Sequence, residues 1–315
     1  MVKFAFQQGN YEKWLADFAS QLETRLEGNV FTLPAHLGKG KILAYDLNAN
    51  LSCLIMNCKL EKDLEFQRQP GGKHGFSLAF NQVEPGNDQK GSRSDIYLSD
   101  AQDELHTRLP AGSTVKRVII FYSTEIAAQY LTPTLLEQLG SFARQNSVSE
   151  NKFMISLPHR ETLKDIFGMT ENDPLGKVRR LSYIIQLSEK FLHSFVRQEQ
   201  TTIPRTLKKN DLESMQHVEH ILSSRLEGFP SLEYLAHEVF MSTSKLKNLF
   251  KQVYGYTLYD YYNKSRLQRA KEMLVTGQCS IKQAGSEIGF SNLSHFAKAF
   301  KREFGALPRD ILRNR

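Results

Sequence analysis

The sequence predicts an α+β chain of two domains: a strand-rich N-terminal domain with helices, and an all-α C-terminal domain built from two helix-turn-helix units. Three observations predict it. Apolar residues follow a strand-like pattern between Ile42 and Tyr122 and a helical period from Pro133 onward. A segment that begins at Ser231 recurs from Ser280. The charge is unevenly divided: Arg205 to Arg315 holds 18 Lys/Arg against 11 Asp/Glu, and Met1 to Pro204 holds 23 of each, so the whole formal charge of +7 sits in the last third. That asymmetry points to a polyanionic partner for the last third, although a basic segment also serves solubility alone.

A chain of 315 residues accommodates two domains of ordinary size, and 40% hydrophobic with 24% charged residues is a globular composition. No apolar run is long enough to span a bilayer, so no membrane partner is expected. Met1 to Asn10 lacks the basic stretch, apolar core and cleavage site of a signal peptide, which makes the cytoplasm the expected compartment. The three cysteines (Cys53, Cys58, Cys279) are odd in number and without CxxC spacing, which argues against a disulfide framework or a structural zinc site. Neither a cofactor nor a metal is expected.

In the N-terminal domain, strands are predicted at Ile42–Tyr45, Leu51–Asn57, Leu64–Gln69, Phe76–Asn81, Ile96–Leu98 and Lys116–Tyr122. Turn residues separate them, as in Gln69-Pro70-Gly71-Gly72-Lys73 and Pro85-Gly86-Asn87-Asp88. The natural outcome is an antiparallel sandwich or small barrel. The Gly71-Gly72 pair lacks the Gly-Lys-Ser/Thr ending and following helix of a phosphate loop, and reads as a hairpin turn. Cys53 and Cys58 with His74 raise the idea of a metal sensor, but residues five apart on one strand point to opposite faces, as buried core cysteines would. Trp14, Phe18 and Leu22 form an apolar helix stripe.

Helices follow around Leu135, Leu136 and Leu139, over Leu157–Phe167, and over Leu175–Gln198. The last carries Val178, Leu181, Ile185, Leu192 and Phe195 on one stripe, which serves either as a dimer seam or as packing on the strand domain. The polar stretch from Gln198 to Asn210 reads as a linker. The expected limits are therefore residues 1–200 for a sensor or dimerisation domain, 201–210 for the linker and 211–315 for the helical domain. His217 and His220 are read as a solvated helix face rather than as ligands.

The repeat defines the helical domain. Glu238 matches Glu287, Val239 matches Ile288 and Ser242 matches Ser291; after a one-residue slip Leu246 matches Phe296, Phe250 matches Phe300, Lys251 matches Lys301 and Gly255 matches Gly305. Each copy is a short helix, a tight turn that opens with a serine cap, and a second helix ended by glycine. Helical arithmetic puts Leu246, Leu249, Phe250 and Val253 inward, and Ser244, Asn248 and Lys251 outward with Lys247 and Gln252 beside them. In the second copy Phe296, Ala299, Phe300 and Phe304 point inward; Ser294, Lys298 and Arg302 point outward, flanked by His295 and Lys301. Both outer faces combine groups able to read base edges with cations able to pair with phosphates. An ordinary solvated face would include acids. None occurs from Ser242 to Tyr254, and the second helix has only Glu303 near its end. Between the copies Leu258, Tyr261, Leu267, Ala270 and Leu274 recur at helical spacing up to the stop at Gly277. About 20 residues at 1.5 Å give roughly 30 Å, close to the roughly 34–36 Å between successive major grooves.

These residues resemble the AraC/XylS family of bacterial regulators. The resemblance rests on Leu235-Ala236, Ser242, Leu246, Phe250-Lys251, Gly255, Tyr261, Arg266, Ala270, Leu274, Ile281, Gly289-Phe290, Ser294, Phe296, Phe300-Lys301, Gly305 and Pro308. It implies two recognition helices entering successive major grooves of duplex DNA, with Ser244, Lys247, Asn248, Ser294, His295 and Lys298 at base-reading positions. The N-terminal order of strands then helices is similar to the cupin-like sensor domains of such regulators, and more closely to the siderophore-responsive subgroup. The implied partners are double-stranded DNA and a small-molecule effector, with RNA polymerase and a second copy of the chain left open. Two departures stand out: Ala284-Gly285 replaces the usual bulky aliphatic and alanine, at a cost of about 1 kcal/mol in helix propensity, and the usual terminal tyrosine is replaced near Ile311. The rival readings are a DNA-repair enzyme fused to such a module and a regulator whose N-terminal domain binds no ligand. The enzyme would need a four-cysteine cluster and a Pro-Cys-His-Arg segment, and the sequence has neither. An enclosed pocket within residues 30–125 as against a filled core discriminates the last reading.

Overall fold

A computed structural model describes residues 1–84, 86, 93–145, 152–169, 174–199, 209–226, 228–277 and 279–313. The chain divides into two units, Met1–Gln200 and Thr201–Arg315. In the first unit β1 (Val2–Gln8) and α1 (Tyr11–Gln21) precede the strands β2 (Val30–Thr32), β3 (Gly38–Asn48), β4 (Leu51–Leu60), β5 (Leu64–Gly72), β6 (Gly75–Glu84), β7 (Arg93–Asp100), β8 (Leu105–Leu109) and β9 (Thr114–Ser123). Then come α2 (Thr124–Tyr130), α3 (Pro133–Gln145), β10 (Lys152–Met154), α4 (Leu157–Gly168) and α5 (Gly176–Glu199). Seven strands form one sheet in the order β10-β7-β6-β9-β4-β3-β2, and β1, β5 and β8 form a second sheet of three. Among the described strands only β1 and β5 run parallel, with Val2 opposite Leu64.

The composition of β4 explains the layering. Side chains alternate across a strand, and β4 is apolar on both faces. Cys53 and Ile55 enter a core with Leu78, Phe80, Ile120, Phe142, Phe153, Phe191 and Phe195. Leu54, Met56 and Cys58 enter another with Phe4, Trp14, Phe18, Phe31 and Phe66. A sheet that is apolar on both faces must be covered on both. The small sheet and α1 cover one face, and α3, α4 and α5 cover the other. This is the expected sandwich, with a helical layer added outside it. Each large apolar side chain so removed from water contributes about 1.5–3 kcal/mol.

Cys53 and Cys58 thus lie on opposite faces in separate cores, and burial pushes both thiols up, that of Cys58 to about 12. The Gly71-Gly72 pair is not a hairpin turn. It ends β5 at a bulge of the β1 pairing, where Gly72 stands opposite Gln8. Gly72 has φ 83°, and a Cβ there would stand 2.1 Å from the Gln8 carbonyl oxygen, so glycine is required. The chain then crosses from the small sheet into β6 of the large one. Apart from Gly86, the turn expected at Pro85–Asp88 lies outside the described residues.

Between the two sheets is a cavity of about 40 Å³ whose lining includes Gln8, Tyr11, Arg68, Tyr97 and Arg117.

The stripe of α5 does not form one continuous face for a partner. Phe195 is 1% exposed in the core under the large sheet, and Leu181 and Leu192 pack against that core, whereas Val178 and Ile185 are 67% and 56% exposed. The residues buried most deeply on α5 are Ile184, Leu187, Phe191 and Phe195, at a spacing of three to four. They form the true inward stripe, so a dimer seam through Phe195 is ruled out by its burial within its own domain.

The second unit is helical: α6 (Lys209–Ser224), α7 (Leu232–Glu238), α8 (Thr243–Tyr254), α9 (Leu258–Thr276), α10 (Ile281–Glu287), α11 (Leu293–Phe304) and α12 (Pro308–Arg313). Lys209 and Asn210, expected in the linker, open α6; residues 200–208 lie outside the described residues. The central helix α9 packs against α6, α8, α10, α11 and α12. His217 and His220 are both exposed, and His217 Nε2 is 3.5 Å from Glu238 Oε2.

Candidate nucleic-acid interface

Each copy of the repeat begins with a capped short helix. The Ser231 hydroxyl accepts from Tyr234 N at the start of α7, and the Ser280 hydroxyl accepts from Gln283 N at the start of α10. The second helices are capped differently. Ser242 Oγ accepts from Lys245 N, as the serine cap predicts, but in the second copy Asn292 is the cap: its Oδ1 accepts from Ser294 N at 2.8 Å and His295 N at 3.2 Å. One more residue in the turn moves the cap from Ser291 to Asn292, which is the physical content of the one-residue slip in the repeat. Both helices end on a left-handed glycine, Gly255 at φ 77° and Gly305 at φ 73°.

The inward faces hold as the periodicity requires, with local shifts. Leu246, Leu249 and Phe250 are buried, but Val253 is only half-buried and Tyr254 takes the inward position. Its hydroxyl donates to the Met215 carbonyl of α6 at 3.1 Å, and its ring lies tilted against that of Phe250, with centroids 4.5 Å apart. In α11, Phe296 and Phe300 are fully buried, with Ala299 and Phe304 half-buried beside them.

All nine residues proposed to meet nucleic acid (Ser244, Lys247, Asn248, Lys251, Ser294, His295, Lys298, Lys301 and Arg302) are exposed. Among the described residues none of their side chains makes a hydrogen bond or ion pair. Nearby charges are engaged. Lys245 Nζ, on α8, donates to Asp211 Oδ1 at 2.8 Å. Glu303, the one acid of α11, is held by Lys264 of α9. That pair spans 39 residues, so helical spacing alone could not reveal it. The local consequence is that the exposed faces of α8 and α11 carry unpaired cations and no unpaired carboxylate.

The scaffold between the copies is well tied. Arg266 donates from Nη1 to the Ile288 carbonyl at 2.9 Å and from Nη2 to Asn263 Oδ1 at 2.8 Å, and its guanidinium lies over Tyr262 and Phe290. It thereby joins α9 to the end of α10. The 19 residues of α9 give a rod of about 28 Å at 1.5 Å per residue, comparable with the groove repeat of roughly 34–36 Å.

Residues 235–314 match a family profile described as a helix-turn-helix domain. The chain is 33% identical over 90 residues to the HTH-type transcriptional regulator ArgR of Pseudomonas aeruginosa, a match that covers 29% of this chain and 27% of that protein. It is 25% identical over 155 residues to the arabinose operon regulatory protein of Escherichia coli, covering 49% of this chain and 52% of that one. The crystal structure of a transcriptional regulator with an AraC-type DNA-binding domain from Chromobacterium violaceum is matched over 34% of this chain and 96% of that chain, at 28% identity and a TM-score of 0.32. The chain thus spans about a quarter to a half of the length of these curated relatives, 27% of one and 52% of the other.

Proposed function

We propose that this chain is a sequence-specific DNA-binding transcription regulator of the AraC/XylS family, a reading supported by the helix-turn-helix profile match over residues 235–314 and by its regulator relatives. The observation that carries this reading is the pair of exposed, unpaired and acid-free faces on α8 and α11. Lys251, Lys301 and Arg302 suit phosphates; Ser244, Lys247, Asn248, Ser294, His295 and Lys298 suit base edges. The test is fluorescence anisotropy of the full chain on duplexes selected from a random pool and on unselected duplexes. Selected duplexes are expected to bind at least a thousandfold more tightly, with affinity falling steeply as salt rises because bound counterions are released. Equal affinity for both pools sinks the reading.

In the same reading the N-terminal domain senses a small molecule in the space between its sheets, where Arg68 and Arg117 line the cavity. An effector acts only through its differential affinity for two arrangements, so effector and DNA affinities must be reciprocally coupled. A homodimer in this reading uses the exposed Val178 and Ile185 of α5, and RNA polymerase is the further partner expected of an activator.

A further inference from the structure

We propose that the cavity between the two sheets is a binding site for a small carboxylate, held by Arg68 from the three-stranded sheet with Arg117 facing it from the seven-stranded one. Both arginines are buried and both line the cavity. Arg68, on β5, is 2% exposed. It donates from Nε to the Asp103 carbonyl at 3.0 Å, from Nη1 to Ser77 Oγ at 3.3 Å, and from Nη2 to Ser99 Oγ at 3.2 Å and the Asp100 carbonyl at 2.6 Å. Every acceptor is a neutral oxygen. A guanidinium has five N–H groups, so one on Nη1 is left without an acceptor among the described residues.

Burying a guanidinium away from water is costly, and burial accordingly draws the Arg68 guanidinium down from its ordinary range. The carboxylates of Asp100 and Asp103 act on it through space but make no ion pair with it. On the opposite wall Arg117 donates from Nε to Asn81 Oδ1 at 2.5 Å, and Asn81 donates to Asp95 Oδ1 at 2.8 Å. Asp95 is the buried carboxylate of that network. A bound carboxylate would accept from the remaining Arg68 N–H and matches the planar donor fork of arginine.

Size selects among anions. A volume of about 40 Å³ holds roughly three waters, at about 10–15 Å³ each on this measure. That admits an anion of formate, acetate or propionate size and excludes an aromatic acid or a fatty chain without rearrangement. The Tyr11 hydroxyl on the cavity wall is kept protonated by burial that lifts it to about 12, and it is hydrogen-bonded to Gln8 and Ser77. The proposal deepens the sensor reading above and rests on it for any effect on DNA.

The experiment is thermal unfolding and isothermal titration of the full chain with sodium acetate, against sodium chloride at equal ionic strength and against acetamide as the uncharged isostere. Acetate is expected to raise Tm by at least 2 °C beyond both controls. Arg68→Gln, which removes the charge but keeps an amide donor, should weaken acetate binding at least tenfold. Ala79→Leu, which fills the cavity without touching a charge, should do the same and keeps the test valid if Arg68→Gln fails to fold. No acetate-specific shift in the wild type, or a shift that persists in Ala79→Leu, overturns the proposal. Acetate that binds without changing affinity for DNA upholds the site and removes the sensor reading instead.

Discussion

Gly285 of α10 and Phe296 of α11 meet in the interior of the second helix-turn-helix unit: a Cβ on Gly285 would stand 3.2 Å from Phe296 Cδ1. Helix propensity alone argues that alanine at this site would gain about 1 kcal/mol. Phe296 is fully buried between Phe290 and Phe300, at ring distances of 5.6 Å from each, and has little room to retreat. Gly285→Ala is therefore expected to bring no gain in Tm. Gly285→Leu should cost about 1–3 kcal/mol as overpacking, read by urea unfolding. A stabilised alanine variant would show that the contact yields.

Phe240 closes the turn before α8 at φ 52° and is 94% exposed. The matching residue of the second copy is Gly289 at φ 79°. A left-handed phenylalanine costs about 1–2 kcal/mol, and an exposed one recovers little of it through packing. Phe240→Asn, which tolerates this conformation, should stabilise the domain by about 1 kcal/mol. Differential scanning calorimetry decides it: an unchanged or lowered Tm refutes the strain.

Lys298→Ala and Asn248→Ala should each lower discrimination between selected and random DNA by about 1–3 kcal/mol. Lys251→Ala and Lys301→Ala should weaken both classes evenly and reduce the salt slope by about one. Specific and nonspecific affinities measured in parallel separate the two roles. Even losses for Lys298 and Asn248 would make them positioning residues.

His159 is buried under the large sheet, with Nδ1 2.7 Å from the Ser156 hydroxyl and Lys190 acting on it. Burial first, and then the Lys190 charge, lower its pKa from 6.5 to about 3. The neutral ring is the native form, so the unfolded chain binds the extra proton between these two values. Stability is full above about pH 6.5 and falls with decreasing pH, by about 2 kcal/mol at pH 5. Tm against pH should show this slope, and His159→Gln should flatten it. Parallel profiles for the two proteins would assign the slope to other groups.

Phe195→Ala should cost the N-terminal domain about 3–5 kcal/mol. Ile185→Asp, at an exposed position, should leave it folded with Tm little changed. Analytical ultracentrifugation of the Ile185 variant then tests the exposed part of α5 as a dimer contact. Loss of the fold in Ile185→Asp would contradict its exposure.

The sequence by itself determined the helical domain. The faces of α8 and α11 follow from the 3.6-residue period and the need to bury Leu246, Phe250, Phe296 and Phe300, and their limits follow from short-range caps and glycine stops. All of these act within a few residues, so a local pattern carries them. The alternation along β4 likewise separated Cys53 from Cys58. Tertiary structure alone decided the rest. Phe195 and Ile185 are both apolar residues of one helix, and only the sheet against which α5 packs makes the first a core residue and the second a surface one. The Lys264–Glu303 pair and the facing of Arg68 toward Arg117 each join segments that lie far apart or on different sheets, and the close approach of Gly285 to Phe296 joins two separate helices. Periodicity sets which side of an element is apolar, but what that side meets depends on how the chain closes on itself.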